Sequence, residues 1–313
     1  LTNQSGGLIA IVWAVVWTNM AVFGLNIIMM SRRYWLIPLF NWQEWRRLFK
    51  AALPMGVVMI LGVIYFRIDV LILGYLQGSY AVGIYSAPYK ILEVLLAVPA
   101  IFMSSVLPVM TMALRDAPVK AKQIFQSAFN FLSLLALPLI AGSLAVATPV
   151  MVLISGPDYI ASGQVLKILI FSLAGSFLNS VMIYTIIAAN QQQRLIWPYV
   201  LAVIFNVTAN VIIIPKYSFM GAAVITVLTE VGILIFSSYI VAKYVKLSAD
   251  WSVFSRTLGV SAVMGLMLWW LQDTLSVLEL IGLGAIIYVG LILLTRTVSW
   301  AEIARLIPQV NKR

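Results

Sequence analysis

Residues 51–75 read AALPMGVVMILGVIYFRIDVLILGY, a stretch in which Arg67 and Asp69 are the only charged side chains. An α-helix rises 1.5 Å per residue, so this stretch would extend about 37 Å and cross a hydrocarbon core of about 30 Å. It lacks the sustained alternation of polar and apolar residues that a membrane-spanning strand needs. The stretch therefore predicts a transmembrane α-helix that carries two charges.

The same pattern recurs along the chain of 313 residues, of which 63% are hydrophobic and 10% charged. Soluble domains are about 25% charged, and the mean hydropathy here is +1.03. We expect an all-α fold, a polytopic membrane helical bundle with about nine transmembrane helices. A cytosolic enzyme, a disordered chain and a disulfide scaffold are excluded. The predicted spans are residues 8–30, 51–75, 82–110, 124–153, 164–189, 196–214, 220–242, 256–272 and 278–295.

The charged residues outside the spans indicate the orientation of the chain. Lys and Arg number 20 against 10 Asp and Glu, and 16 of the basic residues fall in one alternate set of loops, counting Arg256 at the edge of its span. The positive-inside rule places these loops and the C-terminus in the cytoplasm, with the protein in the plasma (inner) membrane. The excess positive charge is thus a topology signal, and we expect no nucleic-acid partner. Cys and His are absent, which removes thiol chemistry, imidazole general bases and the usual zinc ligands. We expect no metal site, no cofactor and no catalytic residue.

Charged side chains inside a membrane need a partner or a water-filled cavity, since each costs about 2.5–3.5 kcal/mol near the bilayer centre. Five of them lie at similar predicted depth, about 10–17 Å below the outer surface. A sixth, Lys167, lies near the end of its span and can extend to the interface. The five are Arg67, Asp69, Lys90, Glu93 and Glu230.

Helical geometry predicts how four of these charges meet. Arg67 and Asp69 are about 200° apart around their helix, whereas Lys90 and Glu93 share a face of the next one. The short connection makes the two helices antiparallel neighbours, so Arg67 or Asp69 reaches across to Glu93 or Lys90. The remaining residue would point at another helix or a central cavity. The cluster is then either a structural ion network or the lining of a hydrophilic translocation cavity.

Glu230 has no basic residue near it in sequence, so it is a candidate for binding a cation or a proton. Three asparagines, Asn179, Asn206 and Asn210, lie on polar stripes at helical spacing. Such stripes line cavities or join helices through hydrogen bonds. Prolines interrupt two spans and favour kinked helices, which are common in transporters; they are Pro88, Pro99, Pro108, Pro138 and Pro149.

Several strings resemble one known family. ALPMG (52–56), FRIDVLILGYL (66–76) and AVGIYSAPYKILEVLLAVP (81–99) are similar to the oligosaccharide flippase branch (O-antigen and teichuronic type) of the multidrug/oligosaccharidyl-lipid/polysaccharide exporter superfamily. Three later strings resemble the same branch: SSVLPVM (104–110), GPDYIASGQVLKIL (156–169) and FNVTANVIIIPKYSFMGAAVITVLTE (205–230).

The resemblance implies a two-lobe exporter of which this chain, N-terminally truncated, is the C-terminal part, and membrane lipids and the missing N-terminal lobe would be its partners. Residues 1–37 would hold the last helix of the N-terminal lobe and the start of a cytoplasmic linker, and 38–50 an amphipathic interfacial linker helix. Residues 51–245 would form the six-helix C-terminal lobe. Residues 246–313 would add two further helices and a cytoplasmic tail.

The resemblance also implies a transporter and no enzyme: a flippase that moves a polyprenyl-diphosphate-linked oligosaccharide to the outer leaflet by alternating access, for cell-surface polysaccharide biosynthesis. Arg67, Asp69, Lys90 and Glu93 would then line the substrate cavity, with Asn179, Asn206 and Asn210 as secondary cavity residues. Glu230 would couple transport to an ion or proton. The alternatives are a cation-coupled multidrug antiporter of the same superfamily and a membrane glycan transferase or ligase.

Overall fold

The computed structural model describes residues 4–32 and 41–295. This part of the chain contains seven helices that are long and apolar enough to cross a membrane. The predicted tail after residue 295 and the first residues of the predicted linker, 38–40, lie outside the described residues. The helices are α1 (Gln4–Ser31), α2 (Trp42–Asp116), α3 (Pro118–Ser155), α4 (Ile160–Ala188), α5 (Ile196–Ile240), α6 (Ser252–Leu271) and α7 (Val277–Leu294).

The chain divides into two compact units between Ala52 and Leu53. The first unit contains α1, whose polar side chains bond to the backbone of their own helix. Thr18, Asn19 and Asn26 each donate a hydrogen bond of 2.8 Å to the carbonyl four residues earlier. This arrangement satisfies polar groups locally, as a helix in an apolar solvent requires.

Residues 41–50 of the predicted linker helix lie within the described part of the chain, and 42–50 are helical. Asn41 precedes α2, and its side-chain oxygen accepts the backbone N–H of Gln43 at 3.0 Å. This contact is a helix N-cap. From Trp42 the helix runs on through Lys50 into the span, so residues 42–50 are the first turns of α2.

Two of the helices reverse direction at a single residue. Gly78 interrupts α2 with φ 81° and ψ −177°, a conformation that is open almost only to glycine. In a straight helix residues 67 and 93 would be about 39 Å apart, yet the side chains of Arg67 and Glu93 meet at 2.5 Å. The two arms of α2, residues 42–77 and 79–116, are therefore antiparallel.

Ser218 breaks α5 in the same way, with φ 48° and ψ −137°. The amide of Asn206 donates to the hydroxyl of Thr229 at 3.2 Å, so residues 196–217 and 219–240 also run antiparallel. Where the sequence predicted short outer loops, the structure has sharp turns inside α2 and α5. With each broken helix counted as two spans, the seven helices contain all nine predicted spans.

Helix α4 is the centre of the second unit. Two thirds of its most apolar stretch of 18 residues is buried, the largest buried share of any described span. Close contact with α3 requires a glycine, since a Cβ on Gly163 would lie 2.5 Å from the Cα of Thr148. Phe125 and Phe129 of α3 and Phe177 of α4 are among the largest fully buried side chains of this core.

Two prolines inside helices have their missing hydrogen bonds replaced by hydroxyl groups from other helices. A proline at position i leaves the carbonyl of residue i−4 without its N–H donor. The carbonyl of Ile84, freed by Pro88, accepts the hydroxyl of Ser162 at 2.7 Å. The carbonyl of Leu134, freed by Pro138, accepts the hydroxyl of Tyr288 at 2.6 Å.

Helices α6 and α7 pack against α3 through a small apolar cluster that is separate from the main core. Its buried members are Ala145, Val146, Met264, Leu268 and Leu280. A glycine keeps α6 close to α3, because a Cβ at Gly265 would lie 3.0 Å from the Cβ of Ala141.

Candidate functional site: a mid-membrane ion pair and two buried carboxylates

The first part of the candidate site is an ion pair on the exposed side of α2. The guanidinium of Arg67 contacts the carboxylate of Glu93 at 2.5 Å, and the two side chains are 58% and 38% exposed. Arg67 lies eleven residues before the turn at Gly78, which corresponds to about 16 Å along the helix and hence to mid-membrane depth. Of the sequence-predicted contacts between the two arms, the Arg67–Glu93 contact is thus present.

Lys90 shares the second arm of α2 with Glu93 and is exposed. It lines a cleft of about 700 Å³ between this arm and the end of α3, together with Ser86, Ser155 and Tyr159. Within residues 4–32 and 41–295, no acidic side chain lies within ion-pair distance of its ammonium group. Lys90 is therefore an unneutralised cation in a cleft, close to the ion pair in sequence but separate from it.

Asp69 belongs to a different environment from the other three predicted cavity residues. It is fully buried and accepts hydrogen bonds from three hydroxyl groups. Those of Tyr89 and Thr226 lie at 3.1 Å and 3.2 Å, and the third is that of Tyr85. As predicted for the residue that does not reach its charged neighbours, Asp69 points at another helix, namely the second arm of α5.

Glu230 is the second buried carboxylate, with 4% exposure. Its two oxygens accept the hydroxyl of Tyr65 at 3.0 Å and that of Ser176 at 2.8 Å. Space for its side chain comes from a glycine of α4, because a Cβ at Gly175 would lie 2.9 Å from the Cγ of Glu230. Glu230 thus joins the first arm of α2, α4 and the second arm of α5.

The two carboxylates form a ladder between α2 and α5. Tyr65 and Asp69 are one turn apart on α2, and Thr226 and Glu230 are one turn apart on α5. Tyr65 donates to Glu230, and Thr226 donates to Asp69. Neither carboxylate has a Lys or Arg within 4 Å in the described part of the chain. A buried carboxylate without a positive neighbour is costly unless it takes up a proton or a cation.

The three predicted asparagines are buried, and two of them, Asn179 and Asn206, connect helical segments. Asn179 accepts the hydroxyl of Ser237 at 2.6 Å. Asn206 donates to Thr229 at 3.2 Å and accepts from Asn210 at 2.9 Å. Asn179 and Asn206 thus have one of the two roles expected of the polar stripes, whereas Asn210 donates within its own arm of α5 and its Oδ1 has no partner in the described residues.

Sequence reasoning missed the tyrosines that surround the carboxylates. Tyr65 lies four residues before Asp69, and Tyr85 lies four residues before Tyr89. That spacing places each pair on one helix face. It was the available signal that hydroxyl donors, rather than basic side chains, would meet the buried acids.

The described residues contain no group of three or more His, Cys, Asp or Glu side chains that could hold a metal ion. The site as seen in those residues therefore consists of an exposed mid-membrane ion pair, an unpaired lysine and two buried carboxylates with hydroxyl donors.

Two curated proteins of Haloferax volcanii are similar to this chain. It is 22% identical over 273 residues to the "Probable low-salt glycan biosynthesis flippase Agl15", covering 84% of this chain and 58% of that protein. It is 27% identical over 173 residues to the "Probable flippase AglR", covering 53% of this chain and 35% of that protein. The chain thus spans little more than half the length of the first of these relatives and about a third of the second.

A solved structure has the same fold. The inward closed conformation of the lipid II flippase MurJ superposes with a TM-score of 0.69 and 15% sequence identity, covering 83% of this chain and 57% of that one. A sequence model of the family described as "Polysaccharide biosynthesis protein" matches residues 4–164, slightly more than half of the 313 residues. The multi-pass helical chain with this MurJ-like fold therefore belongs to the polysaccharide biosynthesis protein family.

Proposed function

We propose that this chain is the C-terminal part of a flippase that moves a polyprenyl-diphosphate-linked oligosaccharide from the cytoplasmic to the outer leaflet of the plasma membrane. The observation that carries the proposal is the Arg67–Glu93 ion pair, which is substantially exposed at mid-membrane depth. The names of the two Haloferax relatives and of MurJ support the activity, since all three are called flippases.

The exposure of this ion pair excludes lipid as its neighbour. An ionised side chain facing hydrocarbon is strongly unfavourable, and such residues face protein or water-filled cavities. We infer that the surface around Arg67 and Glu93 is one side of a hydrated cavity whose other side would come from an N-terminal lobe. In this arrangement residues 51–245 form the C-terminal lobe, 38–50 belong to the linker and 246–313 carry the extra helices.

The chemistry of the substrate matches the charges on this surface. A diphosphate binds guanidinium and ammonium groups strongly, and Arg67 and Lys90 supply one of each. Glu93 orients the Arg67 side chain in the absence of substrate. When the diphosphate binds, it competes with Glu93 for the Arg67 guanidinium. The polyprenyl chain can stay in the bilayer while the polar headgroup crosses, and alternating exposure of the cavity to the two sides moves the headgroup.

We assign ion coupling to the buried ladder rather than to the cavity surface. Glu230 and Asp69 lie where the first arm of α2 and the second arm of α5 meet, so a proton or cation taken up there would change how these helices bind each other. One elementary charge moved across 100 mV corresponds to about 2.3 kcal/mol, enough to bias transport in one direction.

Export assays in cells that depend on the full-length protein test the cavity role. Arg67→Gln and Lys90→Gln, alone and together, should reduce surface glycan at unchanged protein level, with the double variant losing at least tenfold. Lys167→Gln is the matched control, because it removes one positive charge from the end of a span. Normal export by the double variant would contradict the role of these residues.

Reconstituted vesicles distinguish the flippase from the alternatives. The purified protein should move a labelled polyprenyl-diphosphate glycan across the bilayer, and Glu230→Gln should make the rate independent of an imposed proton or sodium gradient. Extrusion of cationic drugs without glycan movement would favour a multidrug antiporter. Formation of a new glycosidic bond would favour a transferase or ligase.

A further inference from the structure

A second polar cleft lies at the other end of the bundle, between the α4–α5 connection and the end of α5. It has a volume of about 580 Å³. Its polar end is lined by Gln191, Gln193 and Arg194, and its walls include Trp197, Tyr239 and Tyr244. Both chain segments belong to the loops that carry most of the basic residues.

Arg194 lines this cleft, and a second cation, Lys243, lies beside it against two tyrosines of the lining, Tyr239 and Tyr244. The guanidinium of Arg194 lies 3.6 Å from the centre of the Tyr244 ring, and its Nε donates to the Gln191 side chain at 2.6 Å. The ammonium of Lys243 lies 5.4 Å from the centre of the same ring and donates to the hydroxyl of Tyr239 at 2.8 Å. Both groups are measured from the Tyr244 ring, so the guanidinium of Arg194 and the ammonium of Lys243 are at most about 9 Å apart, the sum of 3.6 Å and 5.4 Å.

No carboxylate offsets this pair. The residues that line the cleft include no Asp or Glu, and in the described residues neither Arg194 nor Lys243 makes an ion pair. Two like charges at such a distance repel each other, and an anion between them would convert the repulsion into attraction. A π-helical turn over Val241–Val245 presents Lys243 and Tyr244, and such turns are frequent at functional sites.

The remainder of the cleft is apolar and open toward the bilayer. Trp197 is 72% exposed, and Leu201 and Phe236 are exposed beside it, within the helical span. The cleft thus has a cationic, amide-rich end at the interface and an apolar side along the membrane. A molecule with an anionic headgroup and a hydrocarbon tail matches both parts, whereas a soluble anion matches only one.

We propose that this cleft is a binding site for an anionic phospholipid of the bilayer, with the lipid phosphate between Arg194 and Lys243 and an acyl chain along Trp197, Leu201 and Phe236. The site uses none of the residues assigned to glycan transport. It would anchor the α4–α5 connection to the membrane surface on the basic side.

Native mass spectrometry of the purified full-length protein tests the site. The protein is offered phosphatidylglycerol, phosphatidylcholine or a polyprenyl phosphate at equal concentration, each with and without millimolar inorganic phosphate. We expect phosphatidylglycerol to be retained better than phosphatidylcholine, by a factor of about five for each of the two cations, Arg194 and Lys243, that contacts the lipid headgroup. The R194Q/K243Q variant should lose that preference.

Two further variants make the outcome specific. R115Q/K120Q removes the same formal charge from another basic loop and should keep the preference, and R194K/K243R should keep most of it. Equal retention of the two phospholipids, or an undiminished preference in R194Q/K243Q, would overturn the proposal. Displacement by inorganic phosphate would assign the cleft to a soluble anion, and selective retention of polyprenyl phosphate would assign it to the carrier lipid. Displacement by inorganic phosphate and selective retention of polyprenyl phosphate would each overturn the assignment of the cleft to an anionic phospholipid.

Discussion

The hydroxyl of Ser162 donates a hydrogen bond of 2.7 Å to the carbonyl oxygen of Ile84, which Pro88 leaves without a helical donor. Removing that hydroxyl leaves a buried carbonyl unsatisfied, so Ser162→Ala should lower the free energy of unfolding by about 1 kcal/mol. Denaturation of the purified protein in SDS, followed by tryptophan fluorescence, measures the change.

A double-mutant cycle separates this hydrogen bond from the loss of volume. In the P88A/S162A variant the new N–H at position 88 can donate to Ile84, so the serine substitution should cost almost nothing in that background. Ser172→Ala is the matched control, because the Ser172 hydroxyl bonds only within its own helix, to Leu169. Equal costs in both backgrounds would contradict the assignment.

Tyr288 has the corresponding role between α7 and α3. Tyr288→Phe removes the donor to the carbonyl of Leu134 and should loosen α7 while leaving the main core intact. We expect faster hydrogen exchange in residues 277–294, by up to about fivefold for a loss of about 1 kcal/mol. Tyr75→Phe, at a tyrosine that is 91% exposed, should leave exchange unchanged. A uniform change along the whole chain would instead indicate global destabilisation.

The reversal at Gly78 depends on a backbone conformation that other residues rarely adopt. Gly78→Ala should destabilise the protein by about 1–3 kcal/mol, although a Cβ there would meet no neighbouring atom. Gly83→Ala also meets no atom but lies in regular helix, and it should be neutral or slightly stabilising. Thermal midpoints measured by fluorescence-detected size exclusion compare the two. A smaller decrease in thermal midpoint for Gly78→Ala than for Gly83→Ala would show that the turn tolerates a side chain.

The contact between Gly175 and Glu230 predicts a pair of coupled substitutions. A methyl group at position 175 would lie 2.9 Å from the Cγ of Glu230, so Gly175→Ala should cost about 1–3 kcal/mol through overpacking. Removing the Cγ with Glu230→Ala should relieve the clash. The double variant should therefore be more stable than the two single losses predict, as measured by SDS denaturation. Strict additivity would show that the side chain simply moves aside.

Hydrophobic stretches and basic loops were enough to predict a multi-pass helical bundle, because span length and hydropathy are set by the thickness of the bilayer. Helical angles and a short connection predicted that Arg67 or Asp69 would reach Glu93 or Lys90, and the structure contains one of these contacts, Arg67–Glu93. Of the amphipathic interfacial linker helix predicted over 38–50, the structure describes residues 41–50, and 42–50 are helical. An amphipathic segment and the first turns of a longer helix have the same local pattern.

The position of Asp69 was not available from the sequence. Its neighbours Tyr85 and Tyr89 come from the other arm of α2, and Thr226 lies 157 residues away. Only the three-dimensional packing brings these hydroxyls to one carboxylate. From the sequence we expected residues of opposite charge to meet, whereas in the structure the buried carboxylate of Asp69 accepts hydrogen bonds from neutral hydroxyl groups.

The ladder between α2 and α5 limits the movements open to the lobe. Each helix contributes one donor and one acceptor, with Tyr65 and Asp69 opposite Glu230 and Thr226. A slide of one turn, about 5.4 Å, would bring the two carboxylates face to face or leave two hydroxyls without an acceptor. The two hydrogen bonds therefore oppose sliding of the first arm of α2 along the second arm of α5, and we expect a change of register between these arms only when both bonds are broken.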